Sequence, residues 1–293
     1  MFTNSEFERI QNKFMVMQKE RRNKISKIWG FFLGLTVLVI IIMIMIFPKQ
    51  FNSGATVWIL PTYGGMVLVT TLTGFLISIM FMSEKPFFDY LYEEMNQKIN
   101  MDEGLYLEYQ SYDKENRGFN KTGGLFTSFA SVSIKRHISG STEEQHKFDI
   151  YDCKMVTSSG QSQQTHFDGV YYILEKELNT SIQLRSNGSP KLRKTKFIKQ
   201  EGYTDFKVFK QQEQNLSNID YQLIRFYEKL IDNPDYKRVY LGVTDNKIHL
   251  ALWYKKHPAR KQKQLTLETY NRLYSYFLNE YKLITEIDSI EAY

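Results

Sequence analysis

Residues able to carry chemistry are few in this chain, and none stands in a recognisable constellation. Cys153, the single cysteine, lies between Asp152 and Lys154 in a strand-like run. As a nucleophile it would need a histidine base and a group to orient that base, and His166 is the nearest histidine downstream. No nucleophile signature surrounds it, so the plainer reading is a structural cysteine. A lone cysteine also excludes an intramolecular disulfide and suits a reducing compartment. The five histidines, His137, His146, His166, His249 and His257, are scattered singly, without HExxH or zinc-ligand spacing. Gly123-Gly124 lacks the following Lys-Ser/Thr of a phosphate loop and reads as a turn. Asp168-Gly169 suits a turn or bulge, and acid–base work by Asp168 would need a partner that the sequence does not show. No catalytic residue, cofactor or metal is implied.

Charge offers more. Arg185, Lys191, Arg193, Lys194, Lys196 and Lys199 flank the loop signature Asn187-Gly188-Ser189-Pro190, and Lys255, Lys256, Arg260, Lys261 and Lys263 surround His257-Pro258. A charged loop is ordinarily a solvated loop. Beside an anionic leaflet, however, each cation contributes about 1 kcal/mol of attraction, which makes anionic lipid headgroups a candidate partner. Nucleic acid is the weaker reading, because neither cluster carries the interleaved aromatics of a base-stacking platform.

These residues need a scaffold, and the hydropathy pattern supplies its first part. Ile28–Phe47 and Val57–Met82 contain no charged residue. At ~1.5 Å per residue the first is long enough for a hydrocarbon core of ~30 Å, and it is followed by Pro48-Lys49-Gln50, where a cleaved signal peptide would carry a small-residue cleavage site. Both runs read as transmembrane helices joined by a short external loop. The second is broken near its outer end by Pro61, Gly64 and Gly65, and a re-entrant loop is the competing reading. Arg9, Lys13, Lys19, Arg21, Arg22, Lys24 and Lys27 precede the first span, against Lys49 alone between the two. Positive charge stays inside, so both termini are expected in the cytoplasm. Gly30 and Gly34 on one span, with Gly74 and Ser78 on the other, would allow close helix–helix contact. Residues 1–27 read as an amphipathic helix opened by a capping box at Ser5-x-x-Glu8, with Phe7, Ile10, Phe14 and Met17 as its stripe. Residues 83–103 read as a juxtamembrane helix carrying Phe88, Leu91, Met95 and Ile99, which Gly104 ends.

From 104 to 293 the pattern is that of an α+β domain with a mainly antiparallel sheet and packed helices. Strands are expected at Gly124–Ile134, Lys147–Val156, Phe167–Leu178 and Ser181–Arg185, with a polar connection at Ser139-Gly140-Ser141. The strongest hairpin joins Val239–Val243 to Ile248–Leu252 through Asp245-Asn246. One helix starts near Ser217, capped with Asp220, and presents Leu223, Tyr227, Leu230 and Ile231. Another carries Leu267, Tyr270, Leu273, Tyr274, Phe277 and Tyr281.

Early spans, Gly123-Gly124-Leu125-Phe126, Phe167-Asp168-Gly169-Val170-Tyr171-Tyr172, Phe206-Lys207-Val208-Phe209 and the hairpin Val239–Leu252 occur in an order that resembles an uncharacterised bacterial membrane-protein family, domain of unknown function 3137. The resemblance implies a bacterial cytoplasmic-membrane protein and brings no assigned catalytic residues. The function expected is that of a membrane-anchored interaction or scaffold module, non-enzymatic, with the bilayer and a protein as partners. The alternative is a membrane-proximal hydrolase or transferase.

Overall fold

A computed structural model describes residues 1–46, 65, 67–69, 71–77, 85–110, 125–126, 131–159, 162–190, 196–211, 215–244, 246–257 and 266–290. The chain divides into two compact units, Phe2–Leu91 and Tyr92–Tyr293, the latter joined by Met1.

The first unit is helical. Helix α1 runs unbroken over Asn4–Ile46, 43 residues and so ~65 Å long. Among the described residues it is the one helix long and apolar enough to cross a membrane. Its start differs from the expected Ser5–Glu8 box. The backbone N–H of Thr3 donates to the Glu6 carboxylate at 2.7 Å, while the Glu6 N–H donates to the Thr3 hydroxyl at 3.3 Å. Both pairs fit the capping spacing, and the earlier one gives the helix an extra half-turn. Phe14 of the apolar stripe packs against Phe87, ring centroids 4.1 Å apart and planes tilted by 49°. Farther along, Phe31, Leu33 and Leu38 are 66%, 67% and 53% exposed.

Of the second apolar run, helix α2 (Val67–Ile77) is described apart from Thr70. It is shorter than the ~20 residues a span requires, and residues 47–64 and 78–84 lie outside the described residues, Ser78 among them. The two-span hairpin is therefore not shown. Threonine hydroxyls along these helices bond back to their own turns, Thr36 to Phe32 O and Thr71 to Val67 O, at 2.9 and 2.8 Å. That arrangement satisfies these threonine hydroxyls without water. The expected Gly34–Gly74 approach is corrected: a Cβ on Gly30 or Gly34 would meet nothing within 4 Å, whereas one on Gly74 would come within 2.9 Å of the Phe32 ring. Gly74 makes room for an aromatic ring and not for another glycine.

Helix α3 (Lys85–Glu103) begins in the first unit and ends in the second, where Gly104 takes φ +68°, open to glycine without strain. The second unit is α+β. Its nine-stranded antiparallel sheet has the order β1-β2-β3-β4-β9-β8-β5-β7-β6. In sequence these are β1 (Tyr106–Gln110), β2 (Ser131–Ser141), β3 (Lys147–Ser159), β4 (Ser162–Glu175), β5 (Ile182–Arg185), β6 (Phe197–Gln200), β7 (Lys207–Gln211), β8 (Tyr236–Thr244) and β9 (Lys247–Tyr254). The β8–β9 hairpin turns through Asn246 at φ +58°, a conformation asparagine tolerates.

Two expectations fail here for local reasons. The strand placed at Gly124–Ile134 begins instead at Ser131 and runs on to Ser141. Ser139-Gly140-Ser141 looks like a turn but is paired on both sides, with Glu108–Tyr106 and Asp149–Lys147. Gly140 is there because a Cβ would press on the Phe148 ring at 2.6 Å and on Tyr106 O at 2.9 Å. The chain turns afterwards, with Gln145 at φ +66°. Asp168-Gly169 is no turn either. Gly169 pairs with Cys153 and Trp253 in mid-sheet, and a Cβ there would lie 1.9 Å from Leu252 O. The irregularity falls earlier, opposite Met155 and Val156.

Helices α4 (Asn218–Ile231) and α5 (Leu267–Asp288) pack on one face, α4 against β8 and β5, α5 against β4. The Ser217–Asp220 capping box starts α4. Asp220 is fully buried and accepts from Lys210 at 2.8 Å; burial opposes its charge, but Lys210 and the cap hold its carboxyl below the usual range. On the opposite face Cys153, Tyr171, Tyr240, Ala251 and Trp253 form an aromatic layer, and Phe126 rests on it, its ring centroid 4.9 Å from that of Phe167. Cys153 is fully buried in this layer, while the His166 ring bonds the Thr157 hydroxyl at 2.6 Å.

Candidate functional site

Strand direction settles how the basic clusters are arranged. Strand β8 is antiparallel to both β5 and β9, pairing Tyr240 with Arg185 and Tyr236 with Tyr254. The segments following Arg185 and Tyr254 therefore leave the sheet from the same end, although far apart in sequence. Lys196, Lys255 and Lys256 are exposed. Lys191, Arg193, Lys194, Arg260, Lys261 and Lys263 lie outside the described residues. Arg185 is a correction: it is 3% exposed and donates to Leu125 O, Gln183 Oε1 and Asn187 O, over the Tyr240 ring. It holds the Leu125–Phe126 segment on the sheet and is unavailable to a membrane surface. In its place the start of β8 brings Lys237 and Arg238 to this end, both above the Trp253 ring.

A second arrangement sits under α5. Arg136 of β2 and Glu280 of α5, 2% and 3% exposed, form a buried ion pair. The guanidinium also lies 4.0 Å from the Phe277 ring centroid, near Tyr92 and Tyr276. Asp152, paired with Arg136 across the sheet, comes within 3.2 Å of His257 Nε2. Burial pushes the Glu280 carboxyl up, offset in part by Arg136. Burial likewise keeps His257 below the ordinary histidine range, opposed by Asp152. Charges this deep are costly unless matched, and here each acid faces a base.

Glu280 is also the floor of a cleft of about 580 Å³, between the β4–β9–β8 strands and α5. Tyr172, Tyr236, Tyr254 and Tyr276 line it, and Lys256, Arg272 and Asp235 stand among its charged residues. The Tyr236 and Tyr254 rings meet edge-on at 5.0 Å and 76°, those of Tyr254 and Tyr276 at 5.9 Å and 71°. Tyr172 is 1% exposed, and among the described residues its hydroxyl has no hydrogen-bond partner. Burial, with the nearby Tyr254 and Glu280, drives that phenol well above its ordinary pKa. The Oε1 of Glu280 meets no donor in full hydrogen-bonding geometry, although the Tyr276 hydroxyl lies near enough to favour its charged form.

No family model, curated protein or solved structure matches this chain. The site is accordingly read from its own geometry. Among the described residues no group of His, Cys, Asp and Glu could hold a metal ion. The remaining histidines hydrogen-bond within the fold: His137 to Asp149 at 2.7 Å, His146 to Asp288 at 2.8 Å and His249 to Tyr171 at 3.1 Å.

Sequence reading missed the cleft because its parts come from β4, β8, β9 and α5, and Tyr at such positions looks like core. One signal was present. Tyr276 and Glu280 stand four apart on a helix whose buried residues are otherwise apolar or aromatic up to Asp288 at its end, and a carboxylate on that face calls for a buried partner.

Proposed function

We propose that the chain is a membrane-anchored interaction module whose α+β unit works on the cytoplasmic side and docks on the anionic inner leaflet. The observation that carries this reading is the common origin of the two basic segments at one end of the sheet. Lys237, Arg238, Lys255 and Lys256 are described residues of that end. The cations of 260–263 follow Lys256 in sequence and those of 191–194 follow Arg185, whereas Lys196, next to the start of β6, lies at the other end of the sheet. The exposed apolar run of α1 supplies the anchor, since Phe31, Leu33 and Leu38 are each more than half exposed. Tethering then raises the effective concentration of a weak surface contact. The second apolar run completes a two-span anchor in this proposal, with both termini inside, as the Lys/Arg distribution requires. Membership in the uncharacterised family named above would add a bacterial cytoplasmic membrane as the location.

Flotation of the unit Tyr92–Tyr293 with liposomes tests the docking. Recovery with phosphatidylglycerol vesicles should exceed recovery with neutral vesicles and fall with added salt, because exposed charges are screened beyond ~8 Å at physiological ionic strength. Replacing Lys255 and Lys256 by Gln should weaken it further. Equal recovery with both lipids, or none with either, rejects the leaflet and leaves a protein partner as the better reading.

A further inference from the structure

The tyrosine cleft is independent of the basic end and makes its own demands on a ligand. Its volume, about 580 Å³, suits a small molecule. Its floor carries the buried Tyr172 hydroxyl, which has no hydrogen-bond partner among the described residues, beside the Oε1 of Glu280, which the Tyr276 hydroxyl approaches without full hydrogen-bonding geometry. A hydroxyl buried in this way costs stability unless something else bonds it.

Charge narrows the class. Arg136 already neutralises Glu280, so the floor is a closed pair with no net charge to offer. Lys256 and Arg272 stand against Asp235 on the lining, so an organic cation would meet two like charges there. An anion reaching the floor would lose its hydration with no cation free to pair with it, Arg136 being committed to Glu280. A neutral ligand rich in hydroxyls avoids both conflicts. It can donate to Glu280, exchange a hydrogen bond with Tyr172, and use Asn279 of the lining, whose amide both donates and accepts. The perpendicular Tyr236, Tyr254 and Tyr276 rings give flat apolar walls for the C–H faces that sugars and cyclitols present beside their hydroxyls. We infer that the cleft between α5 and the β4–β9–β8 strands binds an uncharged polyhydroxylated small molecule of saccharide or cyclitol type, seated on Glu280 and Tyr172.

The test uses the full chain in nanodiscs of phosphatidylglycerol and phosphatidylethanolamine. Saturation-transfer NMR is run with glucose, galactose, N-acetylglucosamine and myo-inositol as neutral probes, and with choline and methyl phosphate as the charged ones. At least one neutral probe should be saturated at millimolar concentration, through its C–H protons. Tyr172→Phe and Asn279→Ala should each weaken that binding by roughly tenfold, the worth of one lost hydrogen bond. Tyr172→Phe removes a hydroxyl that bonds none of the described residues, so the fold should persist. Should it not, Asn279→Ala, an exposed position, carries the test alone. Saturation of choline or methyl phosphate only, of no probe at all, or of a neutral probe equally in the wild type and in both folded variants overturns the inference.

Discussion

Acid should weaken the sheet through one residue, His249. It sits fully buried on β9, its Nδ1 3.1 Å from the Tyr171 hydroxyl, and burial, aided by Lys247, lowers its pKa from 6.5 to about 4. Between those values the unfolded chain binds a proton that the folded chain refuses. Stability is thus complete above 6.5 and declines as pH falls toward 4. At 1.36 kcal/mol for each pH unit between the two pKa values, the loss amounts to ~3 kcal/mol. Urea unfolding of the unit Tyr92–Tyr293 at a series of pH values measures it. Trp253, four residues along the same strand and itself part of the aromatic layer, is that unit's single tryptophan, the others being Trp29 and Trp58, so its fluorescence reports the same sheet. The comparison is with His249→Asn, which keeps an amide near the Nδ1 position but does not titrate. The variant will start less stable because it leaves a cavity, yet its acid slope between pH 6.5 and 4 should be flatter by about the same 3 kcal/mol. Equal slopes would refute the reasoning and assign the acid sensitivity to other groups.

Arg136→Met leaves the Glu280 carboxyl buried without its counter-charge and should cost ~3–5 kcal/mol in urea unfolding, while Arg136→Met with Glu280→Leu should recover most of that loss. Gly169→Ala should be worse than the usual ~1–3 kcal/mol of an overpacked core, since its Cβ would meet the Leu252 carbonyl, not a movable side chain; loss of soluble expression or of the β4–β9 amide protection in hydrogen exchange would register it. A C-terminal alkaline phosphatase fusion should be inactive and a fluorescent-protein fusion bright; an active phosphatase would reverse the proposed topology.

Periodicity made the long elements legible. Leu91, Met95 and Ile99 recur at helical spacing and are all fully buried on α3, and Leu223, Tyr227 and Leu230 do the same on α4. Alternation between Val239 and Leu252 likewise marked the β8–β9 hairpin. What misled was glycine. Gly140 and Gly169 read as turns because glycine relieves backbone strain, yet both serve to let another residue approach closely in a flat strand, and the sequence does not show the approaching neighbour. Strands β1, β6 and β7 are short or edge elements whose pairing, not their composition, defines them. Arg185 was grouped with its charged neighbours, but its guanidinium satisfies backbone carbonyls that only the folded chain brings near. The cleft had the same obstacle: Tyr172, Tyr236, Tyr254 and Glu280 belong together only after β9 has come to lie between β4 and β8.

That last placement sets a timetable for the nascent chain. Gly169 pairs with Trp253, so β4 is synthesised well before the strand that covers its edge. At ~5–20 residues per second the wait lasts roughly 4–17 s, during which the β1–β4 meander presents an open strand edge to whatever lies nearby. A slow or defective β9 would accordingly be felt as degradation or aggregation during synthesis, before any ligand or lipid could be bound.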